Sequence, residues 1–167
     1  MIAEGGRPTL ELDAAAGALR LTLVALDRPG LLAQTAAIFR EFGIEVMAAD
    51  VFSPRDEPPV AIDVFRVRAR DGLEHGVDPK TVDLMAQRLA EVWNAEQLQA
   101  APDSPAARPW AARPRTTTTI TFASDPAGAR TIIEVETQRE VDTLERITLA
   151  LAAEGIDILL ARINVEA

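Results

Sequence analysis

Apolar and polar side chains alternate from Leu19 to Leu23, with Leu19, Leu21 and Leu23 on one face and Arg20 and Thr22 on the other. A period of two is that of a half-buried strand. After Asp27 the period changes. Leu31, Leu32, Thr35, Ile38, Phe39 and Phe42 fall on one stripe, which predicts a helix from Arg28 to about Phe42. Asp27 is placed to cap that helix with its carboxylate, and Pro29 to sit in the first turn, where no N–H is needed. Gly43 is a natural stop. Gly30 leaves the mouth of the helix without a side chain, so a backbone or a ligand can come close. Read alone, the corner serves equally well as a capped turn or as a binding loop.

The next segments repeat the alternation of periods. Ile44–Phe52 and Val60–Arg68 read as two strands of a hairpin, joined through the turn from Ser53 to Pro59. Asp78 then caps a helix through Trp93, with Val82, Met85, Leu89 and Val92 on one face. Residues 1–17, with Gly5, Gly6, Pro8 and Gly17, read as a flexible arm. Residues 96–115 carry Pro102, Pro105, Pro109 and Pro114 among Ala, Asp and Arg, the composition of an extended connector. Beyond it Thr116–Ala123 is strongly β-prone, Asp125-Pro126-Ala127-Gly128 is a turn, and Thr131–Glu136 is a further strand expected to form a hairpin with the first. Adding the strand at 116–124 to residues 18–95 completes βαββαβ, an α+β ferredoxin-like module with an antiparallel sheet and its helices on one face.

Shifting the chain by 112 positions brings Ile133 onto Leu21, Leu144 onto Leu32, Gly155 onto Gly43, Ile156 onto Ile44 and Ala161 onto Ala49, without a gap from about residue 19 to 55. Strand, helix, glycine stop and the acidic residue after Gly-Ile all recur. Residues 129–167 are therefore expected to be a partial, degenerate second copy that supplies βαβ and then stops. Such a piece leaves a sheet edge and a helix face uncovered. Either the chain is a fragment of something longer, or the half-module completes its sheet on the first module or on another subunit.

Composition narrows the chemistry. With 167 residues, there is room for one domain or two small ones. No apolar run is long enough to span a bilayer and no signal peptide is evident, so a cytoplasmic protein is expected. Cysteine is absent, which removes disulfides, thiolate nucleophiles and zinc–thiolate sites together. The net charge of −9 argues against nucleic acid or anionic membranes as partners. Arg108, Arg113 and Arg115 lie close together with Trp110, but among Pro and Ala they suit a solvated linker better. His75 is the single histidine and falls in a polar loop, so neither a multi-imidazole metal site nor a Ser/His/Asp triad is available. Trp93 and Trp110 read as packing residues. Asp50 and Asp63 form a carboxylate pair in the sequence, although spacing alone does not make them converge. No catalytic residue, metal or cofactor is expected.

The run from Leu23 through Asp27-Arg28-Pro29-Gly30-Leu31 to Ala33, followed by Phe42-Gly43-Ile44-Glu45-Val46-Met47-Ala48-Ala49-Asp50, resembles the ACT domain, a small ligand-sensing module. The tandem arrangement, with Asp63-Val64-Phe65-Arg66-Val67 in the third strand, is most similar to the ACT pair at the C-terminus of bacterial uridylyltransferases that modify the nitrogen-regulatory protein PII. A two-ACT glycine cleavage repressor is a second such likeness. The resemblance covers about residues 18–167. It implies binding of an amino acid or similar small molecule where the first strand–helix loop meets the second strand of a neighbouring module. Carried onto this chain, those positions are Asp27, Arg28, Pro29, Gly30 and Leu31, with Glu45 past the helix. Where some members carry amide or imidazole side chains, this chain has Ala25, Asp27 and Glu45. The helix N-terminus suits a carboxylate, and Asp27 or Glu45 an ammonium group. At the aligned place in the second copy stands Arg139-Glu140-Val141-Asp142, which has lost the glycine and is expected to pack without binding. The nucleotidyltransferase and phosphohydrolase motifs of the modifying enzymes are missing.

The expectation is thus a non-enzymatic regulatory ACT protein, or a regulatory fragment of an enzyme, sensing a small metabolite in nitrogen or amino-acid metabolism. It is expected to form a homo-oligomer through sheet edges or ACT–ACT pairing. The alternative is a structural dimerisation module in which the same loops make subunit contacts and bind nothing.

Overall fold

Three long strands make the centre of the molecule: β2 (Ala18–Leu26), β3 (Ile44–Phe52) and β4 (Val60–Ala69). The computed structural model describes residues 9–13, 18–53, 59–70, 77–94, 117–126, 130–138 and 143–164. β4 lies between β2 and β3 and runs antiparallel to both, so the two strands joined by helix α1 (Leu31–Glu41) are parallel with one strand inserted between them. This is the split βαβ arrangement. The alternation read from the sequence holds in β2, where Leu19, Leu21, Leu23 and Ala25 are buried. α1 covers that face with Leu31, Leu32, Ile38 and Phe39, and the ring of Phe39 meets Phe65 edge-on, with centroids 5.1 Å apart. Helix α2 (Pro79–Asn94) adds Met85, Leu89 and Trp93, all buried. The Trp93 indole N–H donates to the Thr35 hydroxyl at 3.0 Å, which removes the cost of burying both groups. Asp78 caps α2 as expected, accepting from the Thr81 N–H at 3.1 Å and from the Thr81 hydroxyl.

A fourth strand of the module would lie antiparallel to β2 on its outer side. That place is taken by β1 (Thr9–Asp13), in register Thr9↔Thr22 to Asp13↔Ala18. Two boundary expectations are corrected by this pairing. The stretch 1–17 is not wholly a loose arm, because Thr9–Asp13 supplies the sheet edge. Nor does the 116–124 segment complete the first module. It forms β5 (Thr118–Ser124), which among the described residues pairs with β6 (Thr131–Thr137) in a separate two-stranded sheet. The physical reason is one of supply: a sheet edge accepts one strand, and the neighbour just upstream of β2 reaches it through a short connection. The connector expected over 96–115 lies outside the described residues.

Helix α3 (Thr143–Ala153) and strand β7 (Leu160–Asn164) return to the first module. β7 pairs antiparallel with β3, giving the five-stranded order β1-β2-β4-β3-β7, and α3 packs against α1. Arg40 of α1 and Glu145 of α3 form an ion pair at 2.5 Å, with Glu145 buried.

The offset of 112 recurs in the geometry. The β1–β2 pair Thr9↔Thr22 and the β5–β6 pair Thr121↔Glu134 stand 112 positions apart, so both hairpins share one register. Gly43 and Gly155, also 112 apart, both adopt positive φ, at 65° and 68°, where α1 and α3 end. Their N–H groups close matching turns on Arg40 and Ala152. The hairpin equivalence extends back to residue 9, upstream of about residue 19, where the gap-free sequence match begins.

Candidate functional site

The loop from Asp27 to Gly30 sits where the first module meets the segment after α3. Its backbone differs from the expected capped corner. The helix begins at Leu31, its N-cap is Gly30 in the left-handed region at φ 82°, and no side chain accepts from its first turn. Asp27 therefore does not cap α1, and Pro29 precedes the helix. An N-cap in that conformation turns the chain sharply, and glycine is the residue that adopts it without a Cβ clash. The Asp27 N–H is held by the carbonyl of Pro59 at 2.9 Å.

The Arg28 side chain leaves the loop and reaches α2. Its guanidinium donates to the carbonyl of Val92 in the last turn and to Gln34 Oε1 at 3.3 Å. A cation there complements the negative end of α2. Burial lowers its pKa from the ordinary arginine value.

A small cleft opens beside the loop. Asp27, Arg28, Pro29, Gly30 and Leu31 line it on one side, Val51, Ser53, Ala61 and Asp63 at its floor, and Thr148, Ala152, Ile156, Asp157 and Ile158 on the other. The cleft is partly open to solvent, and about 30 Å³ of it is accessible to water-sized groups, room for roughly two of them. Ser53 joins the two sides. Its hydroxyl donates to the Asp27 carboxylate, and its N–H donates to the carbonyl of Leu159 at 2.9 Å.

Three carboxylates converge on this cleft. Burial raises the Asp27 pKa, and the nearby charge of Asp157 raises it further, against the Ser53 and Arg28 N–H hydrogen bonds that lower it. Asp63 occupies a core-facing position of β4, between Ala61 and Phe65, and is 1% exposed. Burial, with the charge of Asp27 second, pushes its carboxyl up to about 7, although the Phe52 N–H donates to it. Among the described residues its Oδ1 has no hydrogen-bond partner.

The structure thus gathers Asp27, Arg28, Pro29, Gly30 and Leu31 into one wall and leaves Glu45 out. Glu45 stands at the start of β3, directly opposite Arg68 of β4, and the two form an ion pair at 2.9 Å. Asp50 and Asp63 also part company: Asp50 lies on the open face of the sheet opposite Arg162, while Asp63 points under α1. Ser53 and Asp157 are cleft residues that the sequence did not single out, and Asp63, named there only in a pair with Asp50 and in the third-strand run, was not placed among the binding residues. A signal for Asp63 was present, since it is the one acid in the core-facing series Ala61, Asp63, Phe65, Val67. Residues 139–142, expected to pack without binding, and His75 lie outside the described residues. Among those described, no group of three acidic, histidine or cysteine side chains is arranged to hold a metal ion.

The model of the ACT domain family matches residues 19–78. That stretch is thus similar to an ACT domain. The match spans β2, α1, β3 and β4, and so includes the loop that lines the cleft. Across 160 residues the chain is 28% identical to a bifunctional uridylyltransferase/uridylyl-removing enzyme of Phenylobacterium zucineum (strain HLK1). That alignment takes in 95% of this chain and 16% of the relative. The ACT match ends at residue 78, before α3 and β7, and the chain as a whole spans about a sixth of the length of the relative it matches. No helix among the described residues is long and apolar enough to cross a membrane.

Proposed function

We propose that the chain is a non-catalytic, cytoplasmic regulatory unit that senses an amino acid or similar small metabolite at the Asp27–Leu31 cleft. Residues 118–164 act in it as a partial second copy of the first module. The observation that carries the reading is the composition of the cleft: the ACT loop forms one wall and the α3–β7 connection the other. A ligand bridging both walls changes how α3 and β7 sit on the first module, and any partner that reads that arrangement is regulated. The likeness to a uridylyltransferase/uridylyl-removing enzyme supports a role as the regulatory part of such an enzyme in nitrogen metabolism.

Isothermal titration against the twenty amino acids tests this, with Asp157→Arg as the control because Asp157 is exposed on the far wall. Binding by the parent and its loss in Asp157→Arg is the expected result; equal binding by both proteins moves the site elsewhere.

One observation favours the assembly reading as well. On the face of the sheet opposite the helices, Val24, Ile62, Phe52 and Leu160 stand side by side across four strands, and all are exposed. An apolar row of this kind suits a homo-oligomeric contact. Light scattering of Phe52→Ser beside the parent separates the readings: a dimer lost on this substitution, with no amino acid bound by the parent, leaves assembly as the function.

A further inference from the structure

Within that ligand-binding reading, on which this inference rests, we infer that the cleft selects its ligand by a protonated amine, and that Asp63 is the residue that recognises it. The geometry supports this in three steps. Among the described residues, the charged side chains lining the cleft are Asp27, Arg28, Asp63 and Asp157, and the cation of that set is turned toward the end of α2. A ligand entering here therefore meets three carboxylates. Asp63 lies deepest, with Oδ1 buried and lacking a hydrogen-bond partner among the described residues. A buried acceptor in that condition carries the full cost of lost hydration, and a donor brought by a ligand removes it. The space accessible to water-sized groups is about 30 Å³, which admits an ammonium head with little more than its first carbon and leaves the rest of the ligand toward exposed Asp157.

An ammonium group suits this place better than a neutral donor. It supplies positive charge among Asp27, Asp63 and Asp157, which in its absence repel one another, and charge-assisted hydrogen bonds are the stronger ones. Burial, with the charge of Asp27 second, pushes the Asp63 carboxyl up to about 7. A bound ammonium stabilises its ionised form, so uptake of the ligand below neutral pH releases a proton from this carboxyl. The ligand class is thus a small primary amine, an amino acid entering amine-first among them, and a carboxylate without an amine is rejected by the same three acids.

The test follows the Asp63 carboxyl carbon by NMR during pH titration of the full chain, with ethylammonium chloride, sodium propionate or potassium chloride added. The expected result is a lower Asp63 midpoint with ethylammonium alone, and an affinity for that probe weakened about tenfold or more in Asp63→Asn. An Asp63 midpoint indifferent to ethylammonium, or moved equally by potassium, overturns the inference: its Oδ1 is then satisfied by ordered water. Binding of propionate in preference to ethylammonium overturns it too, while leaving a ligand site of the opposite head-group chemistry. Failure of all twenty amino acids, together with both probes, removes the ligand-binding reading itself.

Discussion

Asp50 and Arg162 face each other across β3 and β7, with Nε and Oδ1 3.5 Å apart, and they stand 112 positions apart in the chain. The pairing on either side is symmetric about them: Ala48 meets Asn164 and Phe52 meets Leu160. Each strand thus pairs with its own counterpart under the same offset that relates the two hairpins. Both side chains are exposed, so the ion pair itself is worth about 0.2–1 kcal/mol. Asp50→Arg and Arg162→Asp are each expected to lower stability by that order, through a like-charge contact, and the double exchange to restore it. A denaturant-melt double-mutant cycle measures the coupling.

The paired glycines give a second expectation. Gly43 and Gly155 have left-handed backbones, and a Cβ added at either meets nothing within 4 Å. Alanine there costs only the backbone strain, about 1–2 kcal/mol. Gly43→Ala and Gly155→Ala should therefore destabilise equally in urea melts. A much larger loss at one of them points to a contact absent from this structure.

Glu145 and Arg40 join α3 to α1. Glu145 is buried while Arg40 stays partly exposed, so removing the cation leaves the carboxylate stranded. Arg40→Ala is expected to cost roughly 1–3 kcal/mol, and Glu145→Gln less, since a neutral amide tolerates the site better. Chemical denaturation of the two variants beside the parent checks the order.

The Asp63 carboxyl sets a pH dependence. Its ordinary value is 3.8 and its folded value about 7, so between these limits the folded chain holds a proton that the unfolded chain has released. Stability contributed by this group is then greatest at acid pH, falls as pH rises from about 4 to 7, and is level above that. Asp63→Asn should flatten that fall and, at pH 8, raise stability by roughly 1–3 kcal/mol. Thermal melts from pH 5 to 8 read both effects; a parent whose stability climbs through that range contradicts the assignment.

Much of this fold was written in local patterns. The alternation at Leu19–Leu23, the stripe from Leu31 to Phe39 and the Asp78 cap all reappear, because each is decided within a few residues of itself. What escaped was decided by partners far along the chain. β1 became an edge strand because β2 offered it an edge, and β5 was left to β6 for the same reason. The cleft divides in the same way. Its loop announced itself through Asp27-Arg28-Pro29-Gly30, while Ser53, Asp63 and Asp157 come together only once β4 is inserted and α3 has packed on α1. Asp27 looked like a cap because its position in sequence fits one; the positive φ of Gly30 turns the loop so that the carboxylate meets Ser53 instead.

The central claim is that this cleft takes a small ligand between the ACT loop and the α3–β7 connection. The most direct measurement is amide chemical-shift mapping of the full chain during titration with the twenty amino acids in turn. The account predicts that at least one of them produces saturable shifts concentrated at Asp27–Leu31, Ser53 and Ile156–Ile158. Saturable shifts confined to the open sheet face around Phe52 and Ile62, or none with any amino acid, would contradict it.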